Sequence, residues 1–113
     1  MAISHKGFHT DVITLNTEGV VRENAPVTVI DGDSCKTALL NEDFIGVVVN
    51  IRDDLASVQV AGYVETSYTG TAPSLGFTGL CGTNGNFVKA SDTAVKYRVL
   101  KVDTVNRIVG FIL

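Results

Sequence analysis

Two runs of strand-forming residues face each other across a charged turn, and they restrict the fold more than any other part of the chain. Phe44-Ile45-Gly46-Val47-Val48-Val49-Asn50 leads into Arg52-Asp53-Asp54, and the chain returns through Ala56-Ser57-Val58-Gln59-Val60-Ala61-Gly62-Tyr63-Val64-Glu65. The β-branched side chains favour a pleated, half-buried backbone. Continuous apolar character from Phe44 to Val49 predicts a strand buried on both faces, and the alternation at Val58-Gln59-Val60 predicts one buried on a single face. Neither run carries a nucleophile or a metal-ligand cluster.

The rest of the chain repeats this character. Val12-Ile13-Thr14-Leu15, Val27-Thr28-Val29-Ile30, Tyr97-Arg98-Val99-Leu100-Lys101-Val102 and Arg107-Ile108-Val109-Gly110-Phe111-Ile112-Leu113 read as further strands. Asn16-Thr17-Glu18-Gly19, Asp31-Gly32-Asp33-Ser34 and Asp103-Thr104-Val105-Asn106 read as turns. Pro26 argues against a central strand. Cys35 to Leu40 fits a helical turn or a strand. Segment 65–86 changes character, with five glycines (Gly70, Gly76, Gly79, Gly82, Gly85), Pro73 and many Ser and Thr. It is expected to form a long Gly-rich loop, or short strands with tight turns. Gly46 and Gly110 each interrupt an apolar strand, which fits a bulge or close backbone packing. Phe-Ile-Leu at the end predicts a last strand that is paired and covered. The expected fold is all-β: a small barrel or sandwich of about six to eight short strands. Residues 1–11 are expected to form a flexible N-terminal arm, and residues 12–113 a single β domain.

Composition limits the function. With 113 residues the chain fits one domain. It is 45% hydrophobic with a mean hydropathy of +0.27, which points to apolar surface covered by a partner. A net charge of −3 argues against a nucleic-acid partner, which requires a basic footprint. No apolar run approaches the roughly 20 residues of a membrane helix. Met-Ala-Ile-Ser-His-Lys-Gly at the start has no apolar h-region, so no secretion signal is predicted. Cys35 and Cys81 belong to no CxxC and read as free thiols.

No constellation of residues outweighs its structural reading. His5 and His9 lie four apart, but Gly7 intervenes and no helix is predicted, so no metal site is expected. Asp31-Gly32-Asp33 lacks the oxygen-ligand spacing of a calcium loop and reads as a turn. No G-x-S-x-G elbow is present, and the two histidines offer a poor base for a triad. Cys81 has no sequence neighbour that would lower its pKa. Gly79 to Gly85 is followed by no Gly-Lys-Ser/Thr, so it is not a phosphate loop. Tyr63, Tyr68, Phe77 and Phe87 anchor this region either to the core or to a partner. The chain is expected to be no enzyme and to use no cofactor.

One resemblance runs through Gly19-Val20-Val21, Ala25-Pro26-Val27-Thr28-Val29, Asp43-Phe44-Ile45-Gly46-Val47-Val48, Val58-Gln59-Val60-Ala61-Gly62-Tyr63-Val64-Glu65, Lys101-Val102 and Val109-Gly110-Phe111-Ile112-Leu113. In strand order and Gly placement these segments resemble the small β domains of tailed-phage and prophage structural operons, the head-decoration or capsid-stabilising proteins. The resemblance covers the chain from about Val12 onward, apart from segment 66–86. It implies a virion structural protein that binds the major capsid protein or another virion subunit as a homo-oligomer, a trimer in many of the proteins it resembles. It places the protein in the virion, or in the host cytoplasm before assembly. The expected interface residues are Phe8, His9, Val12, Tyr68, Phe77 and Phe111. Two other readings stay open: a tail or baseplate subunit, and a ligand-binding or enzymatic barrel. In the latter, segment 70–85 is a lid over a pocket lined by Tyr63, Tyr68 and Phe77.

Overall fold

A computed structural model describes residues 11–113. Ten strands follow one another, and none of the described residues is helical: β1 (Asp11–Thr17), β2 (Pro26–Asp31), β3 (Ser34–Thr37), β4 (Gly46–Arg52), β5 (Leu55–Ala61), β6 (Tyr63–Tyr68), β7 (Gly76–Gly82), β8 (Phe87–Ala90), β9 (Lys96–Asp103) and β10 (Ile108–Ile112). They close into two five-stranded barrels, in the orders β1-β3-β2-β4-β5 and β10-β6-β8-β7-β9.

The expected all-β barrel class holds, but the strands number ten and the barrels two. Two features of the sequence hid the difference. The run Val58 to Glu65 reads as one strand, yet Gly62 breaks it at a φ of 92°. That positive φ is open to glycine without strain, so one residue suffices to carry the chain from β5 into β6. The second feature is brevity: β3 and β8 have four residues each and carry Lys36 and Lys89, so neither shows an apolar run. The expected Gly-rich loop over 70–85 contains β7, whose Leu80 and Cys81 are buried, so this segment is barrel wall and not a lid. Pro26 opens β2, which is central, between β3 and β4. At the first position of the strand its missing N–H costs no interior ladder bond. The N-terminal boundary shifts by one residue, because Asp11 already pairs with Ala61.

The two barrels are the same structure built twice. In each, the first strand runs parallel to the third: Asn16 and Thr17 pair with Ser34 and Cys35, as Ser67 and Tyr68 pair with Phe87 and Val88. Glu18 N–H donates to the Cys35 carbonyl (2.9 Å), as Thr69 N–H does to Val88 (2.9 Å). Gly19 and Gly70 follow with φ of 73° and 76°. Both closing hairpins carry a one-residue bulge at matching places, Val49 and Leu100. Tracing partners around each barrel matches Leu15, Val27, Cys35, Val48, Ala56 and Val58 with Thr66, Leu80, Val88, Val99, Val109 and Phe111. All twelve are buried. In barrels this narrow the interior is filled by side chains, these six positions in both barrels and Tyr68 as well in the second. Gly46 and Gly110, alike in their apolar settings, are not counterparts, since one lies on a fourth strand and the other on a fifth.

The barrels are locked together by the connection 38–45. Ala38, Phe44 and Val47 leave the first barrel and join the core of the second. There Phe44 stacks on Tyr97 (centroids 5.2 Å apart) and meets Phe111 edge-on (6.0 Å). Backbone bonds close the joint: Asn84 N–H to the Ala38 carbonyl (2.9 Å), Gly82 N–H to Glu42 (2.8 Å) and Asn41 N–H to Gly82 (3.1 Å). A Cβ on Gly82 would lie 2.6 Å from that of Ala38, so this contact needs glycine.

Space, and not backbone conformation, explains Gly46, where a Cβ would collide with the Gln59 carbonyl. Gly46→Ala is expected to lower stability by about 1–3 kcal/mol, as overpacking does. Phe111→Ala, which opens a cavity, should cost about 3–5 kcal/mol. Gly32→Ala, where nothing lies within 4 Å of the new methyl, should leave stability nearly unchanged. Urea denaturation of the three variants checks the order.

Candidate functional site

An open groove of about 700 Å³ lies on the second barrel, lined by Phe77, Thr78, Gly79, Ser91, Asp92 and Lys96 among others. Its floor is the contact between β7 and the β8–β9 connection. Ser91 N–H donates to the Gly79 carbonyl (2.9 Å), and a Cβ on Gly79 would collide with the Ser91 carbonyl. One wall is the 71–75 loop, held where Thr78 Oγ1 donates to the Ser74 carbonyl (2.7 Å). Phe77 stands at the rim, 71% exposed, with the Arg98 guanidinium 5.8 Å from its ring centre. Leu75 and Val95 are exposed nearby in sequence. The groove thus offers an aromatic ring, hydroxyls and the opposite charges of Lys96 and Asp92, which suits a polar-rimmed protein contact.

A second recess of about 450 Å³ lies where the barrels meet, lined by Asn24, Val47, Val49, Gln59, Tyr63, Val64 and Glu65. Tyr63 Oη donates to Glu65 Oε2 (2.9 Å), and Lys101 Nζ lies 3.6 Å from the same oxygen. Tyr63 also covers Gly110, where a side chain would collide with the phenol. Burial, the hydrogen bond to Glu65 and the Glu65 charge together push the Tyr63 phenol up to about 12. It is therefore a neutral donor that fixes the carboxylate, not a base.

The structure separates the residues that the sequence reading grouped. Of the expected interface set, Val12 is exposed on β1 and Phe77 stands at the groove rim. Tyr68 and Phe111 are corrected to core residues: both side chains turn into the second barrel and are buried. Phe8 and His9, like His5, lie outside the described residues. Tyr63, Tyr68 and Phe77 line no common pocket, because one borders the joint, one is interior and one is at the rim. Cys35 and Cys81 are free and buried, and burial raises both thiols above their ordinary pKa. Among the described residues no group of three His, Cys, Asp or Glu could hold a metal.

Leu75, Asp92, Lys96 and Arg98 were not anticipated. The parity of Leu75 and Phe77 about Gly76 was the available signal, since it places two large apolar side chains two residues apart with no apolar partner between them.

Because the Tyr63 phenol is held neutral in the fold, its contribution to stability is complete below about pH 10 and lost as pH rises towards about 12. Tyr63→Phe should remove the tyrosinate step near pH 12 from an ultraviolet titration and flatten that part of the stability curve. In comparisons with known proteins, no family model, no curated protein and no solved structure matches this chain.

Proposed function

We propose that this protein is a non-enzymatic structural subunit of a phage-like particle that binds the capsid surface as a decorating or stabilising protein. The particle assignment comes from the resemblance of its strand order and Gly placement to head-decoration proteins. The observation that carries the structural role is where the large apolar side chains lie outside the two cores. Val105 (88% exposed), Val20, Leu40, Leu75 and Phe77 stand out from turns and strands of both barrels. Scattered apolar residues are ordinary, but so many on a small, closed framework suit a subunit with neighbours on several sides.

Closed barrels supply what such a role needs. Closure leaves no free sheet edge to pair with unfolded neighbours at high local concentration. On a symmetric shell, weak contacts repeated at every copy add up through avidity. The partner in this reading is the major capsid protein, and the protein resides in the virion after assembly.

Co-sedimentation tests the proposal. The chain should pellet with empty shells and not with purified tails. Removing residues 1–10 should abolish pelleting while the circular dichroism spectrum stays that of the full chain. Failure to bind shells at saturating concentration, or selective binding to tails, would exclude the capsid assignment.

A further inference from the structure

The groove on the second barrel is the counterpart of a surface that is covered on the first. Along β2 and β7, the pairing with β3 and β8 matches Asn24, Ala25 and Pro26 with Phe77, Thr78 and Gly79. Ala38 N–H donates to the Pro26 carbonyl (3.0 Å), as Ser91 N–H does to that of Gly79. Val47 pairs with Pro26 and Lys96 with Gly79, two residues out of step with the match of Val48 to Val99. On the first barrel this surface lies under the second barrel. The Asn24 carbonyl accepts from Thr66 Oγ1 (2.6 Å), Ala38 accepts from Asn84, and Ala25, Pro26, Ala38 and Val47 are buried. On the second barrel the same surface is the open groove.

The covering face also has a counterpart. The second barrel covers the first with Val64 on β6 and with Gly82 and Asn84 at the β7–β8 turn. The matching residues of the first barrel are Ile13, Val29 and Asp31, and Ile13 and Val29 are 40% and 41% exposed. The joint between barrels is therefore of the head-to-tail kind, and it leaves one surface open on each barrel, the groove on the second and the Ile13–Val29 face on the first.

We infer that the groove at Phe77 and Lys96 seats the Ile13–Val29 face of the first barrel of a second copy, so that the chain self-associates head to tail. Two differences between the internal joint and the open surfaces fit each other. The connection 38–45 that presses on Gly82 is replaced in the second barrel by 91–95, which is three residues shorter. At the place of Gly82 the first barrel carries Val29, whose side chain takes the space the shorter connection leaves. The charges also agree. The groove is rimmed by Lys96 as well as Asp92, and the open face carries Asp31 at the place of Asn84, so Lys96 offers that carboxylate an opposite charge. A head-to-tail contact closes into a ring or grows into a filament according to its rotation. The inference does not depend on which particle the protein serves.

Complementation between two variants tests it without any shell present. The full chain should run as an oligomer in size-exclusion chromatography with light scattering, shifting to smaller mass on dilution. Phe77→Asp spoils only the groove, and Val29→Asp only the facing surface, so each alone should run at the mass of one chain. Mixed in equal amounts they should form a complex of two chains, because one variant keeps an intact groove and the other an intact face. Circular dichroism shows that each variant is folded, and Leu75→Asp and Ile13→Asp serve as a second pair. A full chain that stays monomeric at the highest concentration would overturn the inference. So would variants that leave the oligomer intact, or folded variants that fail to combine on mixing.

Discussion

Five strands enclose very little volume, and the architecture depends on how that volume is filled. The first core holds six buried side chains and the second holds more, Tyr68 among them, so the two sets solve the same packing problem differently. The first uses mid-sized residues throughout, among them Cys35 and Ala56. The second puts Phe111 where the first has Val58, and Thr66 where the first has Leu15. The larger ring meets Tyr97 of its own barrel and Phe44 of the connection 38–45, so the aromatic cluster that binds the barrels together includes this enlarged core position. Interiors packed to crystal density leave no slack for such a change without a neighbour to receive it.

The fold class was legible because Val and Ile dominate the long strands and turn residues separate them. The duplication was not. Matching core positions share burial more than identity: Val48 and Val99 agree, but Cys35 stands against Val88, Ala56 against Val109 and Leu15 against Thr66. A barrel interior constrains size and polarity more than residue type, so two copies can drift apart while most strand registers stay matched; the β2–β4 and β7–β9 pairings differ by two residues. The turn Asp31-Gly32-Asp33 against Asn84-Gly85-Asn86, and the identities Gly19/Gly70, Lys36/Lys89 and Val48/Val99, keep a faint trace.

The groove was harder still to read. Phe77 stands out as an aromatic residue in a Gly-rich segment, but nothing in the sequence says that Phe77 is exposed while Phe111, three strands later, is buried. That distinction comes from position along β7, where Leu80 enters the core and Phe77, three residues earlier near the strand's start, lies on the exposed side. Tyr68 shows the same limit: a tyrosine between Ser67 and Thr69 reads as surface, yet its position opposite Val88 in the parallel pairing puts the ring inside.

The joint also imposes an order on synthesis. All six interior residues of the first barrel lie within residues 15–58, whereas the second barrel's core is completed by Ala38, Phe44 and Val47 from upstream. The N-terminal half can close as soon as β5 has left the ribosome, and chains emerge slowly enough for a small barrel to do so. The C-terminal half then condenses on a surface already in place, with Phe44 as the ready-made end of its core. The duplicated chain is thereby directional in time: one copy acts as the template on which its sibling matures.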